Sequence, residues 1–203
     1  MKTLRLDLLG RALAMLLALA SPPAFAFDLA ELMALLGARQ SGEANFTEQR
    51  FVQGLDAPLV SSGVLAFVAP ERLTRRTLVP RAEAMLVQGN TLTLSRNGRT
   101  RSFALDAMPE MVALVEAMRG TLTGNAATLT RYFRCAVGGT QAAWTLELTP
   151  LEAALARQVQ SVRLGGSAGE LLSVELLLAG GDRSLMRIEP LGAAAAGAAA
   201  SAP

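Results

Sequence analysis

The chain of 203 residues contains no histidine and only one cysteine. Histidine is the commonest general base and metal ligand in proteins, and its absence excludes Ser-His-Asp and Cys-His catalysis. Cys135 lies in the strand-like context Arg-Cys-Ala-Val and is expected to be a packed thiol, because no base accompanies it. Glycine-rich phosphate loops and acidic calcium loops are also missing. We therefore expect no cofactor, no metal and no enzyme activity.

Long apolar runs are missing as well, except near the N-terminus. A basic start over residues 2–11 precedes an apolar run over 12–20 and the small-x-small motif Ala-Phe-Ala at 24–26. The run is about half of the roughly 20 residues that a bilayer span requires. We predict that residues 1–26 are a cleaved signal peptide, that the mature chain begins at Phe27, and that it is periplasmic. No cysteine stands directly after the cleavage site to carry a lipid.

Neither sign of charge is in excess once that segment is removed. The chain has 19 basic and 17 acidic residues, and removal of three basic and one acidic residue leaves 16 of each. A neutral mature protein gives no compositional indication of nucleic-acid binding. Between residues 72 and 101, however, seven arginines accompany a single acid. These arginines are either solvated or form a docking surface for an acidic membrane partner or anionic lipid. The arginines proposed for docking are Arg72, Arg75, Arg76, Arg96, Arg99 and Arg101.

The first part of the mature chain predicts one helix followed by hairpins. Apolar residues at helical spacing over 27–38, with Asp28 as a cap and Gly37 as a stop, predict an amphipathic helix. The period then falls toward two, and turn residues recur. Asn97-Gly98 is the sharpest hairpin signal, since this kind of two-residue turn needs positive φ at both positions. The predicted strands cover residues 45–54, 61–69, 72–79, 83–88, 91–96 and 99–105.

A helical insertion interrupts the strands. Residues 108–118 return to helical spacing, with Pro109 suited to the first turn and Gly120 as the end, and a weaker helix is predicted over 126–132. The Ala/Gly-rich segment 191–203 is predicted to be a disordered tail. Strands are predicted to resume at residues 132–138, 143–149, 159–165, 171–178 and 183–189, with the glycine pairs 138–139, 165–166 and 180–181 as turns.

These elements indicate one domain over residues 27–190. Meandering antiparallel strands in this number usually curl into a barrel or a sandwich. Helices with one apolar stripe must bury that stripe against the sheet. We therefore predict a mainly β fold with helices, an incomplete antiparallel β-barrel, or half-barrel, in which the helices plug the concave face.

Four segments resemble the opening strands of LolA-like outer-membrane lipoprotein carriers. They are residues 45–49 (NFTEQ), 62–67 (SGVLAF), 70–73 (PERL) and 84–92 (AMLVQGNTL). In that family a Phe-polar-Gln strand precedes a Gly-x-Leu strand, a proline-led corner and a hairpin that ends in Thr-Leu. The order of elements is similar too, over roughly residues 28–190.

The resemblance implies a carrier that shields acyl chains and moves them across the periplasm. Its expected partners are an acylated lipoprotein or lipid as cargo, an inner-membrane donor and an outer-membrane acceptor, and the chain is expected to be a monomer. Two departures bear on this. The family's latch arginine before the corner proline is replaced by Ala69, and the closing C-terminal segment is replaced by the alanine-rich tail. An amphiphile other than a lipoprotein is therefore an alternative cargo.

The core of a half-barrel and its cargo pocket are one surface, so the same apolar residues can serve either purpose. Trp144 alternates with polar neighbours and is expected to face inward. The methionines near the helical insertion are either gap-fillers or flexible contacts to cargo of varying shape. The predicted pocket and lid residues are Phe46, Phe67, Met85, Val87, Leu92, Leu94, Phe103, Met108, Met111, Leu114, Met118, Trp144 and Leu146.

Two functional hypotheses follow from these patterns. The first is a non-catalytic carrier whose helical lid competes with acyl chains for the concave face. The second is a non-transporting periplasmic binding or structural module, whose barrel is filled by its own side chains and which docks a protein partner through its arginines. A lipid hydrolase or isomerase is disfavoured by the missing histidine.

Overall fold

Eleven antiparallel strands form a single sheet in the structure, a computed structural model that describes residues 27–191. The predicted signal peptide and the tail after Leu191 lie outside the described residues. The strands are β1 (Ser41–Phe51), β2 (Leu59–Val68), β3 (Arg72–Val79), β4 (Glu83–Gln88), β5 (Thr91–Arg96), β6 (Arg99–Ala104), β7 (Phe133–Thr140), β8 (Ala143–Pro150), β9 (Val159–Ser167), β10 (Glu170–Leu178) and β11 (Arg183–Pro190).

The strand order places the first and last strands together at the centre of the sheet. β1 pairs with β2 on one side and with β11 on the other, and the edges of the sheet are β6 and β7. The sheet is not closed into a barrel, because these two edges do not pair with each other. The prediction of an incomplete antiparallel barrel is confirmed.

Four short helices accompany the sheet within residues 27–191. The segment between the two edge strands holds a 3-10 turn and two of these helices, and it crosses the concave side of the sheet. None of the helices among residues 27–191 is long and apolar enough to cross a membrane. The helices are α1 (Leu29–Gly37), α2 (Pro109–Leu122), α3 (Ala126–Tyr132) and α4 (Ala153–Ala156), and the 3-10 turn is Leu105–Ala107.

The ends of the helices follow from local chemistry. Asp28 caps α1, and its carboxylate accepts from the backbone of Glu31 while the Glu31 carboxylate accepts from the backbone of Asp28. Asn125 caps α3 by accepting from the backbone N–H of Thr128. The predicted cap and stop of the first helix are confirmed.

Two apolar clusters hold the helices on the concave face. The larger cluster joins α1, α2 and α3 to strands β7 to β10, and it includes Leu32, Leu129 and Leu164, all with no exposed surface. The smaller cluster joins α2 to β4 and β5 through Val87, Leu92, Leu105 and Val115. Helices that plug the concave face were predicted from their apolar stripes, and this arrangement is confirmed.

Two of the predicted glycine turns were wrong, because these glycines lie within strands. Gly139 in β7 and Gly166 in β9 are the cross-strand neighbours of Trp144 on its two sides. A Cβ on Gly166 would approach Cζ2 of the indole to 2.3 Å, so only glycine leaves room for the ring there. The indole Nε1 donates to the carbonyl of Ala168 at 2.9 Å, in the turn that follows. The pair at 180–181 does lie in a turn.

Other elements also differ from the prediction. β1 begins at Ser41 rather than at residue 45, because its first residues pair with β2 although they lack apolar alternation. Helix α2 continues through Gly120 to Leu122, and Gly120 allows Leu129 of α3 to approach within 3.0 Å of a Cβ position. Helix α4 was not predicted, since a four-residue helix leaves no periodic signal.

Candidate functional site

An apolar cavity of about 260 Å³ lies on the concave face, over the central strands and between the two clusters. Strands β1 to β4 line one side, and β10 and β11 line the other. Leu36 of α1 and Met118 and Leu122 of α2 contribute from the helices. The lining residues are Leu36, Arg39, Gly42, Glu43, Ala44, Leu65, Ala66, Phe67, Leu73, Thr74, Arg75, Met85, Met118, Leu122, Gly169, Leu171, Val174, Met186, Ile188 and Pro190.

Three of the predicted pocket residues, Phe67, Met85 and Met118, line this cavity. The cavity also has walls that the sequence analysis did not single out, such as Met186 and Ile188 of β11. β11 pairs with β1, and this pairing places β11 at the cavity. Local periodicity gives no signal for such a long-range pairing.

The other buried members of the predicted set fill the fold around the cavity. Trp144, Leu146 and Leu114 belong to or contact the larger cluster. Phe46 is 2% exposed and lies beneath the guanidinium of Arg75. The members that belong to or contact the smaller cluster are Val87, Leu92, Met108 and Met111.

Leu94 and Phe103 are exposed, at 39% and 40%, and do not line the cavity. Their register still places them on the concave face, because Leu94 pairs with Met85 and Phe103 pairs with Leu92. The smaller cluster covers Leu92 from α2 and stops there. The outer part of this face therefore forms an apolar margin open to solvent rather than part of the pocket.

The six arginines predicted as one docking surface lie on both sides of the sheet. Arg75 pairs with Leu65 and Met85, which places it on the concave face, where it lines the cavity. Strand alternation places Arg72 and Arg76 on the opposite face. The other three lie beside the exposed margin on the register of Leu92 and Phe103, and we name them the arginine edge: Arg96, Arg99 and Arg101.

A polar network crosses four adjacent strands beside the cavity. The Arg75 guanidinium of β3 donates to Glu48 of β1, and Ser61 of β2 donates to the same carboxylate at 3.2 Å. Ser184 of β11 donates to the other carboxylate oxygen. Burial by itself raises the pKa of Glu48, but the hydrogen bonds from Ser184, Arg75 and Ser61 and the charge of Arg75 outweigh it and hold that pKa below its ordinary value.

Arg119 of α2 connects the helix to two turns of the sheet. Its Nη2 donates to the carbonyls of Glu71 at 2.9 Å and Gly89 at 2.7 Å, and its Nη1 pairs with Glu116 at 2.9 Å. The side chain is 12% exposed. This residue was not predicted from the sequence, although it is the one basic side chain within an apolar helix. The arginine that fastens α2 to the sheet therefore comes from α2 itself, not from the segment before the corner proline.

Cys135 lies on β7 in apolar surroundings. Burial raises the pKa of its thiol, which keeps the sulfur protonated and poorly nucleophilic at neutral pH. Its cross-strand neighbour is Leu148, and it contacts the larger cluster. The prediction of a packed thiol agrees with this position.

The sequence and the fold were compared with known proteins. No curated protein matches the sequence. The fold is similar to a LolA superfamily protein from Nitrosomonas europaea (14% identity over 81% of this chain and 91% of that one, TM-score 0.42). It is also similar to the lipoprotein LppX from Mycobacterium tuberculosis (9%, 83% and 95%, TM-score 0.41). LprF from Mycobacterium bovis is a third (10%, 81% and 93%, TM-score 0.34).

A family model gives the assignment. The model described as outer membrane lipoprotein carrier protein LolA-like matches residues 20–203, which is most of the chain. That description names carrier proteins rather than enzymes, and its expected fold is the one found here. The chain belongs to the LolA-like family of outer membrane lipoprotein carrier proteins.

Proposed function

We propose that this protein is a periplasmic carrier that shields the acyl chains of lipoproteins, or of a related amphiphile, and delivers them toward the outer membrane. The observation that carries the proposal is the apolar cavity beneath α1 and α2. Its walls are mostly aliphatic side chains and methionines, which suit a flexible hydrocarbon better than a polar metabolite.

The size of the cavity bears on how cargo is admitted. About 260 Å³ is slightly below the roughly 300–1,000 Å³ of typical small-ligand pockets. One acyl chain, or part of one, therefore fits without rearrangement. A cargo with two or three chains requires α2 to move away from the smaller cluster. In this proposal α2 is the lid, and it competes with cargo for the concave face.

The energies permit such competition. Burial of about ten methylenes contributes about 8 kcal/mol. The two bonds from Arg119 to Glu71 and Gly89 fasten the lid, and each charge-assisted bond contributes about 1.5–3 kcal/mol. Burial of the cargo thus contributes more free energy than the two bonds from Arg119 that fasten the lid. The lid in turn favours release once a partner offers a better site.

Delivery needs contact with a donor at the inner membrane and an acceptor at the outer membrane. We assign the docking to the arginine edge, which adjoins the exposed side chains of Leu94 and Phe103. Reversal of Arg96, Arg99 and Arg101 to Glu is expected to slow association with an anionic partner or membrane and to reduce its salt dependence, while acyl binding stays nearly unchanged. Transfer at the wild-type rate in low salt would contradict this assignment.

The filled-barrel module is the competing function. It is favoured by the larger cluster, in which the helices already occupy the concave face of β7 to β10. In that case the cavity is a packing defect, and the protein acts by docking alone. The two functions differ in whether the purified protein holds an amphiphile.

The deciding experiment is purification of the protein from the periplasm of its native host, followed by mass spectrometry of bound lipids and acylated peptides. A matched purification of Met118→Asp, which places a charge in the cavity wall, is the control. The carrier predicts acylated species with the wild type and their loss in the variant. A wild-type protein that binds no amphiphile in this experiment or in titrations would replace the carrier with the module.

A further inference from the structure

Arg75 is the more buried of the two arginines that line the cavity. Its side chain is 27% exposed, whereas that of Arg39 is 45% exposed and is paired with Glu170 in solvent. Arg75 lies between Leu65 and Met85 across the strands, so its guanidinium stands beside apolar side chains of the wall. A carrier that only shielded hydrocarbon would gain nothing from a charge at this position.

The guanidinium is held in a fixed position. Its Cζ lies 4.5 Å from the centroid of the Phe46 ring, and its Nη2 is bonded to Glu48 and, at 3.4 Å, to Ser61. Gly63 of β2 has no side chain at the concave position between Phe46 and β3, which leaves the ring accessible to the arginine. The group is therefore oriented before any ligand arrives.

Glu48 and Arg75 differ in how much of their hydrogen-bonding capacity is already used. Both oxygens of the Glu48 carboxylate already accept bonds, one from Ser184 and the other from Arg75 and Ser61. The bonds that Arg75 makes to other described residues all use Nη2, so Nη1 and Nε keep their N–H groups for another acceptor. Because Arg75 lines the cavity, an acceptor that enters the cavity can bond to these groups.

We propose that Arg75 binds the ester or amide carbonyl that joins an acyl chain to its head group, and so fixes how far the chain enters the cavity. This assignment rests on the carrier function and specifies its ligand. A neutral carbonyl fits better than an anion, because Glu48 already neutralises Arg75 and stands within hydrogen-bond distance of it. The chain beyond the carbonyl then lies along Leu65, Met85 and Met118.

A matched pair of probes isolates the carbonyl. 1-Monopalmitoylglycerol and 1-O-hexadecylglycerol share head group and chain length, and the second has an ether in place of the ester. Both are titrated by calorimetry below their aggregation concentrations, with palmitate as the anionic probe. The wild type is expected to bind the ester roughly tenfold to a hundredfold more tightly than the ether, which is the effect of one hydrogen bond from a charged donor.

The variant removes the pair together, so that no unpaired charge is left in the wall. Glu48→Gln with Arg75→Met is expected to bind ester and ether equally. Arg76→Met, on the opposite face, is the matched control and should keep the wild-type preference. A purely structural role of Arg75 would change the affinity for both probes alike and leave their ratio intact, which would overturn the assignment.

The remaining outcomes separate the assignment from the carrier function. Equal binding of ester and ether by the wild type overturns the carbonyl site and leaves the carrier standing, whereas binding of neither probe removes both. A preference for palmitate that depends on Arg75 replaces the carbonyl with an anionic head group. Should the double variant fail to fold, infrared spectroscopy of ¹³C-carbonyl monopalmitoylglycerol on the wild type decides. A carbonyl stretch below that of the same lipid in both hexane and water supports the site, and a band at either reference position overturns it.

Discussion

The two wings of the sheet treat the same concave face in opposite ways. In the filled wing, strands β7 to β9, the inward side chains of Trp144, Leu146 and Leu164 are at most 1% exposed beneath the helices. In the open wing, strands β1 to β6, Phe46, Val87 and Leu92 are also buried, but other inward positions line the cavity or, as with Leu94 and Phe103, face solvent. Stability and binding are thereby assigned to different parts of one surface.

The contrast between the two wings explains why such a fold tolerates an incompletely filled core. The filled wing receives α1, α2 and α3, and their burial there stabilises the sheet without any ligand. Strands β4 and β5 of the open wing are covered by one face of α2 through the smaller cluster. We expect α2 to open over β4 and β5 while its other face still contacts the filled wing.

The largest expected effect is a cavity in the filled wing. Leu164→Ala removes a fully buried side chain and should lower the free energy of unfolding by about 2–5 kcal/mol. Met85→Ala in the open wing removes a half-buried side chain beside an existing cavity, and about 1 kcal/mol is expected. Urea denaturation of the two variants measures both values. Equal losses would remove the distinction between the wings.

The next effect concerns the fastening of α2. Arg119→Met removes the bonds to the carbonyls of Glu71 and Gly89 and should cost about 3 kcal/mol of lid closure. Hydrogen exchange is then expected to accelerate in residues 109–122 while β8 and β9 stay protected. Arg131→Met, on the neighbouring helix α3, is the control. Uniform acceleration across the sheet would show that the lid does not open separately.

Each wing contains an ion pair, and the two pairs are expected to respond differently to acid. The expected effect on stability is about 1 kcal/mol. The pKa of Glu48 is lowered in the folded state, so its contribution is complete above the unfolded pKa of about 4.3 and is lost as the pH falls through the folded pKa. Glu48→Gln should flatten the fall in unfolding midpoint below about pH 5. Glu147→Gln, which breaks an exposed pair with Arg163 in the filled wing, should leave it intact.

The smallest effect is expected at the exposed margin of the open wing. Leu94→Ser and Phe103→Ser replace side chains that are already in solvent, and a change within about 0.5 kcal/mol follows. Binding of a hydrophobic dye should fall modestly if the margin guides chains toward the cavity. A loss of stability comparable with that of Leu164→Ala would mean that the margin is covered in solution.

Much of this fold could be predicted because each element carries its own local signal. Nearly all strands from β2 onward follow period-two patterns, and Asn97 and Gly98 have the positive φ angles, 52° and 72°, that their turn requires. Gly166 was assigned to a turn because its actual role, space for the indole of Trp144, arises only once β8 and β9 are paired. Gly139 has a positive φ of 87°, as a turn glycine does, but lies within β7.

The site was harder to predict for the same reason. Periodicity identified the inward residues, but it could not tell which of them the helices cover, and so Leu94 and Phe103 were placed in the pocket. Arg75 was grouped with its sequence neighbours, although strand alternation separates it from Arg76. The network of Glu48, Ser61 and Ser184 depends on the pairing of β1 with β11, which the local sequence does not encode.

The most direct test of the two-wing account is photo-crosslinking with a palmitoyl ester that carries a diazirine along its chain. Adducts are mapped by peptide mass spectrometry on the wild-type protein. The account predicts labels on residues that line the cavity, Phe67, Met85, Met118 and Met186, and none on Trp144, Leu146 or Leu164. Labels concentrated on β7 to β9, or on the convex face, would contradict it.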